Sequence, residues 1–134
     1  MIGKMSKEEL NAVLETLPIE FSVLDKHDKV LAWNKHQTRI FKRPEGAIGR
    51  DVRNCHPKKS LAKVEQILSE MKAGKRDTAQ FWIDLPLGKS GEKHKVMIRY
   101  FALRDGQGVY LGCLEASQDI SYIQNLKGEK RLLD

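Results

Sequence analysis

The chain has 134 residues, 40% apolar and 31% charged, with a formal net charge of +6. That length suits one domain of about 14 Å radius of gyration, with one core and room for one pocket, and the composition excludes a disordered or fibrous chain. No apolar stretch approaches the roughly 20 residues that span a bilayer, and residues 1–6 lack the apolar run of a secretory signal, so a cytoplasmic protein without a membrane span is expected.

Ser6 is a candidate N-cap, and Glu9, three residues on, completes a capping box. Leu10, Val13, Leu14 and Leu17 then form one apolar stripe, and Pro18 ends the helix. A hairpin follows: a strand over 19–24 with Phe21 and Val23 on one face, a polar turn over 25–29, and a strand over 30–33 closed by Asn34. A short helical segment is expected over 36–41. Pro57 stands where a second helix should begin, because its fixed φ and missing donor suit a first turn. Leu61, Val64, Ile67, Leu68 and Met71 form the strongest amphipathic stripe, and Gly74 is a natural stop. Three strands follow, over about 78–85, 94–104 and 109–117, the last two joined by the turn Asp105-Gly106-Gln107-Gly108. A last helical segment is expected over 122–133, interrupted by Gly128.

Helices thus lie between two groups of strands rather than alternating singly with them. This excludes a doubly wound parallel sheet and favours an α+β domain with a five-stranded antiparallel sheet. The chain lacks a Gly-rich phosphate loop, a nucleophile elbow and a helical His pair for zinc. Asp25, Asp28, Asp84 and Asp105 fall at turns or strand ends, as turn formers and solvated charges. His27, His36 and His94 read as surface residues. The basic residues are scattered and accompany no nucleic-acid motif, so no nucleic-acid partner is expected. Cys55 and Cys113 make no metal-binding spacing; a reducing compartment keeps them as thiols, and a disulfide between them stays open at this point.

Three stretches resemble the PAS domain family. They are Phe21-Ser22-Val23-Leu24-Asp25 with Val30-Leu31-Ala32-Trp33-Asn34; Ile48-Gly49-Arg50-Asp51-Val52 leading to His56-Pro57; and Arg104-Asp105-Gly106, Gly112-Cys113-Leu114 and Asp119-Ile120-Ser121. Ser121 replaces the usual Thr of the ending. Asn54-Cys55-His56-Pro57 together with the tail 128–133 is similar to PAS domains that lie beside hemerythrin-like modules in prokaryotic sensor proteins. The resemblance implies a sheet of order 2-1-5-4-3 with helices on one face. It divides the chain into an N-terminal helix over 1–18, a PAS core over 19–121 and a tail or signalling helix over 122–134.

The resemblance also implies a sensory module that holds a small ligand between sheet and long helix and passes the signal through its termini. The alternative is a ligand-free dimerisation or docking module; an enzyme is not expected. Candidate pocket residues are Phe41, Cys55, His56, Leu61, Val64, Leu68, Leu114 and Ala116, with Asp119, Ile120 and Ser121 as the signalling junction. The cofactor is unknown: a small organic ligand or haem fits the family, with His56 as a low-probability haem or metal ligand and no metal assigned. Flavin photochemistry is not expected, because Asn54-Cys55 is followed by His56-Pro57 and not by the blue-light motif. The partner is a second copy or a neighbouring sensor or output domain. Alternation along the last strand sets Glu115 with Cys113 and Ser117, opposite Leu114 and Ala116, and the apolar set is expected to face the pocket, with Glu115 outward.

Overall fold

The computed structural model describes residues 2–35 and 39–133. Helix α1 spans Lys7–Thr16 and opens with the expected capping box: Glu9 N–H donates to Ser6 Oγ at 3.0 Å, and Ser6 N–H donates to Glu9 Oε1 at 3.1 Å. Strands β1 (Glu20–Asp25) and β2 (Val30–Trp33) form the first hairpin. Asp25 folds its turn by accepting from the N–H groups of His27 and Lys29 at 2.8 and 3.0 Å. The helix expected over 36–41 lies partly outside the described residues, and Arg39–Phe41 form a bend rather than a helix.

Three short 3-10 turns, Glu45–Ala47, Val52–Cys55 and Lys58–Ser60, lead to α2, Leu61–Lys72. Pro57 is extended, with ψ 146°, so it caps the last of these turns instead of opening the long helix. Val64, Leu68 and Met71 of α2 are buried, one turn apart on one face. The helix stops at Gly74, which has φ +74° and lets Lys75 N–H reach Glu70 O at 2.8 Å.

Strands β3 (Thr78–Pro86), β4 (Lys93–Arg104) and β5 (Tyr110–Asp119) make an antiparallel meander. Asp105 repeats the turn chemistry of Asp25, accepting from Gln107 and Val109 N–H at 2.9 and 3.0 Å. Strand β5 then pairs with β1, which gives a five-stranded sheet of order β2-β1-β5-β4-β3, as expected. The C-terminal helix α3 is only Ser121–Gln124; residues 125–133 are not helical, where a helix to 133 was expected. Among the described residues no helix is long and apolar enough to cross a membrane.

The register decides which side chains meet. Ser22, Glu115, Tyr100 and Ala79 stand in one row across β1, β5, β4 and β3, and Glu20, Ser117, Ile98 and Phe81 in the next. With Leu24 and Cys113 these rows form the inner face, and α2 packs on it through Val64, Leu68 and Met71 in one core. Leu114 and Ala116 belong to the other face, in rows with Phe101 and Arg99.

Candidate functional site

The inner face is unusually polar for a surface covered by helix. Glu20, Ser22, Glu115 and Ser117 are all buried there. Glu115, expected outward, retains only 7% exposure and faces α2; Leu114 and Ala116, expected in the pocket, lie on the opposite sheet face, where Ala116 is itself buried. The alternation was right but its polarity was reversed, because the charge inside is compensated by two arginines from the segment after β2.

Arg39 and Arg43 supply that compensation. Arg39 is spent on structure: its Nε donates to Phe41 O at 2.9 Å, and its Nη atoms donate to Phe21 O, Asn34 O, Asn34 Oδ1 and Ser22 Oγ at 2.9–3.2 Å. Glu20 is spent likewise, accepting from the backbone N–H of Ile40 and, at 3.0 Å, of Phe41. Arg43 Nε shares Ser22 Oγ at 2.9 Å, and its Nη2 approaches Glu115 Oε2 only to 3.4 Å. That is long for a charge-assisted pair, which closes to about 2.7–2.9 Å when fully made. Burial raises the Glu115 carboxyl above its ordinary value, against the opposing pull of His56, Arg43 and Arg39.

His56 lies at the edge of this cluster. Its Nδ1 is 3.1 Å from Val52 O and its Nε2 is 3.4 Å from Tyr100 Oη. Val52 O can only accept, so Nδ1 carries a proton there, and Nε2 faces the Tyr100 hydroxyl. Both ring nitrogens are thus directed at protein atoms, and an axial-ligand role for haem would require breaking the Tyr100 contact beside a charged cluster. The arrangement does not fit that role. Cys55 is a half-buried free thiol with its Sγ 3.8 Å from Asp51 O, and Cys113 is a fully buried free thiol whose pKa burial pushes up to about 12.

The remaining expected pocket residues divide. Val64 and Leu68 are core residues pressed on the sheet, Phe41 and Cys55 are half-buried against that core, and Leu61 is half-buried at the start of α2 without joining it. The open space lies elsewhere. A cleft of about 670 Å³ is lined by Glu20 and Ser117 at its sheet side, by Ile40 and Lys42 of the segment after β2, and by His94, Asp119, Ser121 and Tyr122. It therefore joins the junction expected at Asp119-Ile120-Ser121 to the interior of the domain.

That junction is tied to β4 on both sides. Asp119 accepts from Ser121 N–H at 3.0 Å and lies 2.5 Å from His94 Nδ1. Lys95 N–H donates to Ser121 Oγ and Ile120 N–H donates to Lys95 O, each at 2.8 Å. Burial alone would raise the Asp119 pKa, but the bonds from His94 and Ser121 lower it overall. His94, expected on the surface, is a partner of the junction. Asp28, expected as a solvated turn residue, is 2% exposed, and its Oδ2 accepts from Lys72 at 2.7 Å and Arg53 at 3.0 Å, which ties the first hairpin to α2.

Sequence reasoning missed Arg39, Arg43, Glu20, Ser22, Ser117 and His94. A signal existed: Glu20 and Ser22 alternate on β1 as Glu115 and Ser117 do on β5, and two polar stripes on paired strands point to one polar face.

An antiparallel sheet of this order, covered by one long helix, defines a small α+β fold. The PAS domain family model matches residues 10–121. Among solved structures, a C-terminal domain from Streptococcus mutans is similar at 32% identity and a TM-score of 0.79, covering 92% of this chain and 91% of that one. The chain belongs to the PAS domain family. The PAS domain of Bordetella pertussis BvgS shares the fold at 19% identity and a TM-score of 0.62, covering 84% of this chain and 85% of that one. VqmA bound to DPO shares it at 19% identity and a TM-score of 0.62, covering 91% of this chain and 65% of that one. A comparison with curated proteins finds no match.

Proposed function

We propose that this PAS domain is a cytoplasmic, non-catalytic sensor that binds a small molecule in the cleft over Glu20 and Ser117 and relays occupancy through Asp119-Ile120-Ser121. One observation carries the reading: the same cleft is lined by Glu20 and Ser117 of the sheet and by Asp119 and Ser121 of the junction. A ligand there would touch both the sensing face and the start of the C-terminal segment, so binding energy that differs between two junction conformations becomes signal. VqmA, of the same fold, is seen bound to DPO, and this lends support. The output partner is a neighbouring module or a second copy, in line with the resemblance to PAS domains found beside hemerythrin-like modules.

Native mass spectrometry of gently purified protein tests the reading. A bound small molecule, lost on Ser117→Phe, which fills the cleft floor, is the expected result. Unliganded protein, with no compound from a metabolite library raising the melting temperature, removes it.

A second reading, a docking or dimerisation module, draws on a different observation. The apolar stripe of α1 has no buried residue, and Trp82 on the outer sheet face is 59% exposed. Isolated apolar residues on a surface are ordinary, but a whole exposed helix stripe is a surface open to a partner.

A further inference from the structure

The cleft stops one row short of the Arg43–Glu115 pair, whose closest approach is 3.4 Å. Strand neighbours on one face are about 7 Å apart, so the Ser22–Glu115 row lies one such step from the Glu20–Ser117 row that floors the cleft. In the outer row the charges are committed, Glu20 to two backbone N–H groups and Arg39 to backbone and side-chain oxygens. In the inner row they are not. Among the described residues Arg43 makes one short bond, to a hydroxyl it shares with Arg39, and its approach to Glu115 stops at 3.4 Å. The two side chains keep 12% and 9% exposure, so the pair is desolvated without being sealed.

A guanidinium in that position is an anion receptor whose internal anion fits it poorly. Its planar fork matches a carboxylate in two parallel hydrogen bonds, a geometry that Glu115 does not reach from β5. The groups facing Glu115 are Arg39 and Arg43 from the segment after β2, His56 from the turn before α2, and Tyr100 and Cys113 from β4 and β5. Were a second anion to take Arg43, Glu115 would face it in a medium of low dielectric, where two carboxylates do not both stay ionised. Lys42 at the cleft wall adds an exposed cation on the approach.

Building on the sensor reading, we propose that the ligand is a small monocarboxylate whose carboxylate replaces Glu115 on Arg43, with Glu115 taking up one proton from solvent as it is released. The charge balance is even: one anion and one proton enter, and the interior gains no net charge. Binding then tightens as pH falls, and the released Glu115 becomes a hydrogen-bond donor. A neutral amide of the same shape has no charge for Arg43 and no reason to bring a proton.

Calorimetry on the full chain tests this, with formate, acetate, propionate, lactate and pyruvate as probes and acetamide and propionamide as neutral isosteres. Titrations in two buffers of different ionisation enthalpy, from about pH 5.5 to 8.5, count protons taken up. The expected result is saturable binding of at least one carboxylate, stronger at low pH, with proton uptake. Arg43→Gln should weaken it about 30-fold or more, while Glu115→Gln should bind without proton uptake. Circular dichroism checks that each variant is folded, and Arg43→Lys, which keeps the charge but loses the fork, should fall between wild type and Arg43→Gln. Equal binding of the amides, pH-independent binding, or unchanged binding by folded Arg43→Gln overturns the proposal. So does failure of every carboxylate; a different molecule retained by wild type and lost from Ser117→Phe would then leave the sensor reading standing and remove only this ligand class.

Discussion

Asn34 shows how much one side chain can organise. It is fully buried at the end of β2, its Oδ1 accepts from Phe21 N–H at 2.9 Å, and its Nδ2 donates to Ile19 O at 2.9 Å. Arg39 also bonds its Oδ1. Asn34→Ala would leave a buried N–H, a carbonyl and a guanidinium short of partners, and should cost about 2–4 kcal/mol in urea unfolding. Glu115 gives a pH prediction at the same scale. Its carboxyl is raised in the folded state, so the folded protein binds more protons than the unfolded chain as pH rises above the ordinary carboxyl value of 4.5. The stability contributed by the protonated group is full below that value and is lost as pH climbs through the raised one. Glu115→Gln removes the titration, so its stability relative to wild type should grow with pH across that window. Urea midpoints at several pH values check this, and a constant difference would argue against an inward carboxyl. Gly112 is the one glycine on which the sheet depends: with φ +156°, a Cβ there would stand 2.0 Å from Leu24 O. Gly112→Ala should destabilise by more than about 3 kcal/mol, because the obstacle is backbone of the paired strand and cannot step aside.

At the scale of elements, the junction and α1 differ in how they are held. The junction is fastened to β4 by His94, Lys95 and their three contacts, so it is ordered without being deeply buried. His94→Ala should speed hydrogen exchange at Ile120 and Lys95 while leaving the β1–β5 amides protected. Equal protection in the variant would mean that His94 does not hold the junction. Helix α1 touches the rest of the chain chiefly through its last turn, where Leu14 O meets Asn34 Nδ2 and Glu15 accepts from Lys35 N–H. Its apolar stripe is left for another surface. If a second copy covers it, Val13→Ser with Leu14→Ser should shift sedimentation toward the monomer, with the thermal midpoint of the monomer changed by no more than about 2 °C. Monomeric wild-type protein would dismiss dimerisation through this stripe.

At the scale of the molecule, the domain separates two tasks across one sheet. Helix α2 closes the half of the inner face around Leu24, Cys113 and Met71 into a core. The other half, nearer the junction, stays open as the cleft. A compound that binds the folded state there must raise the melting temperature with its concentration, by mass action. Net charge of +6 lets such a domain attract anions over a Debye length without any dedicated basic patch.

What could be read from residues alone were the features with a local cause. The capping box at Ser6 and Glu9, the Asp turns at 25 and 105, the stripe of α2 with its Gly74 stop, and the strand order through family resemblance all rest on interactions within a few residues or on motif spacing. The limits of α3 were not legible, because the end of a helix with no packed face is set by what it docks against. Nor was the site. Period-two alternation divides a strand into two faces but does not say which one is inside. On β5 that choice followed from Arg39 and Arg43, which stand more than seventy residues earlier in the chain and make a polar row tolerable in the interior. Glu115, Ser117 and His94 became site residues only when the register of β1, β5 and β4 brought them to one end of the sheet, a decision made by long-range pairing and buried charge balance rather than by local sequence.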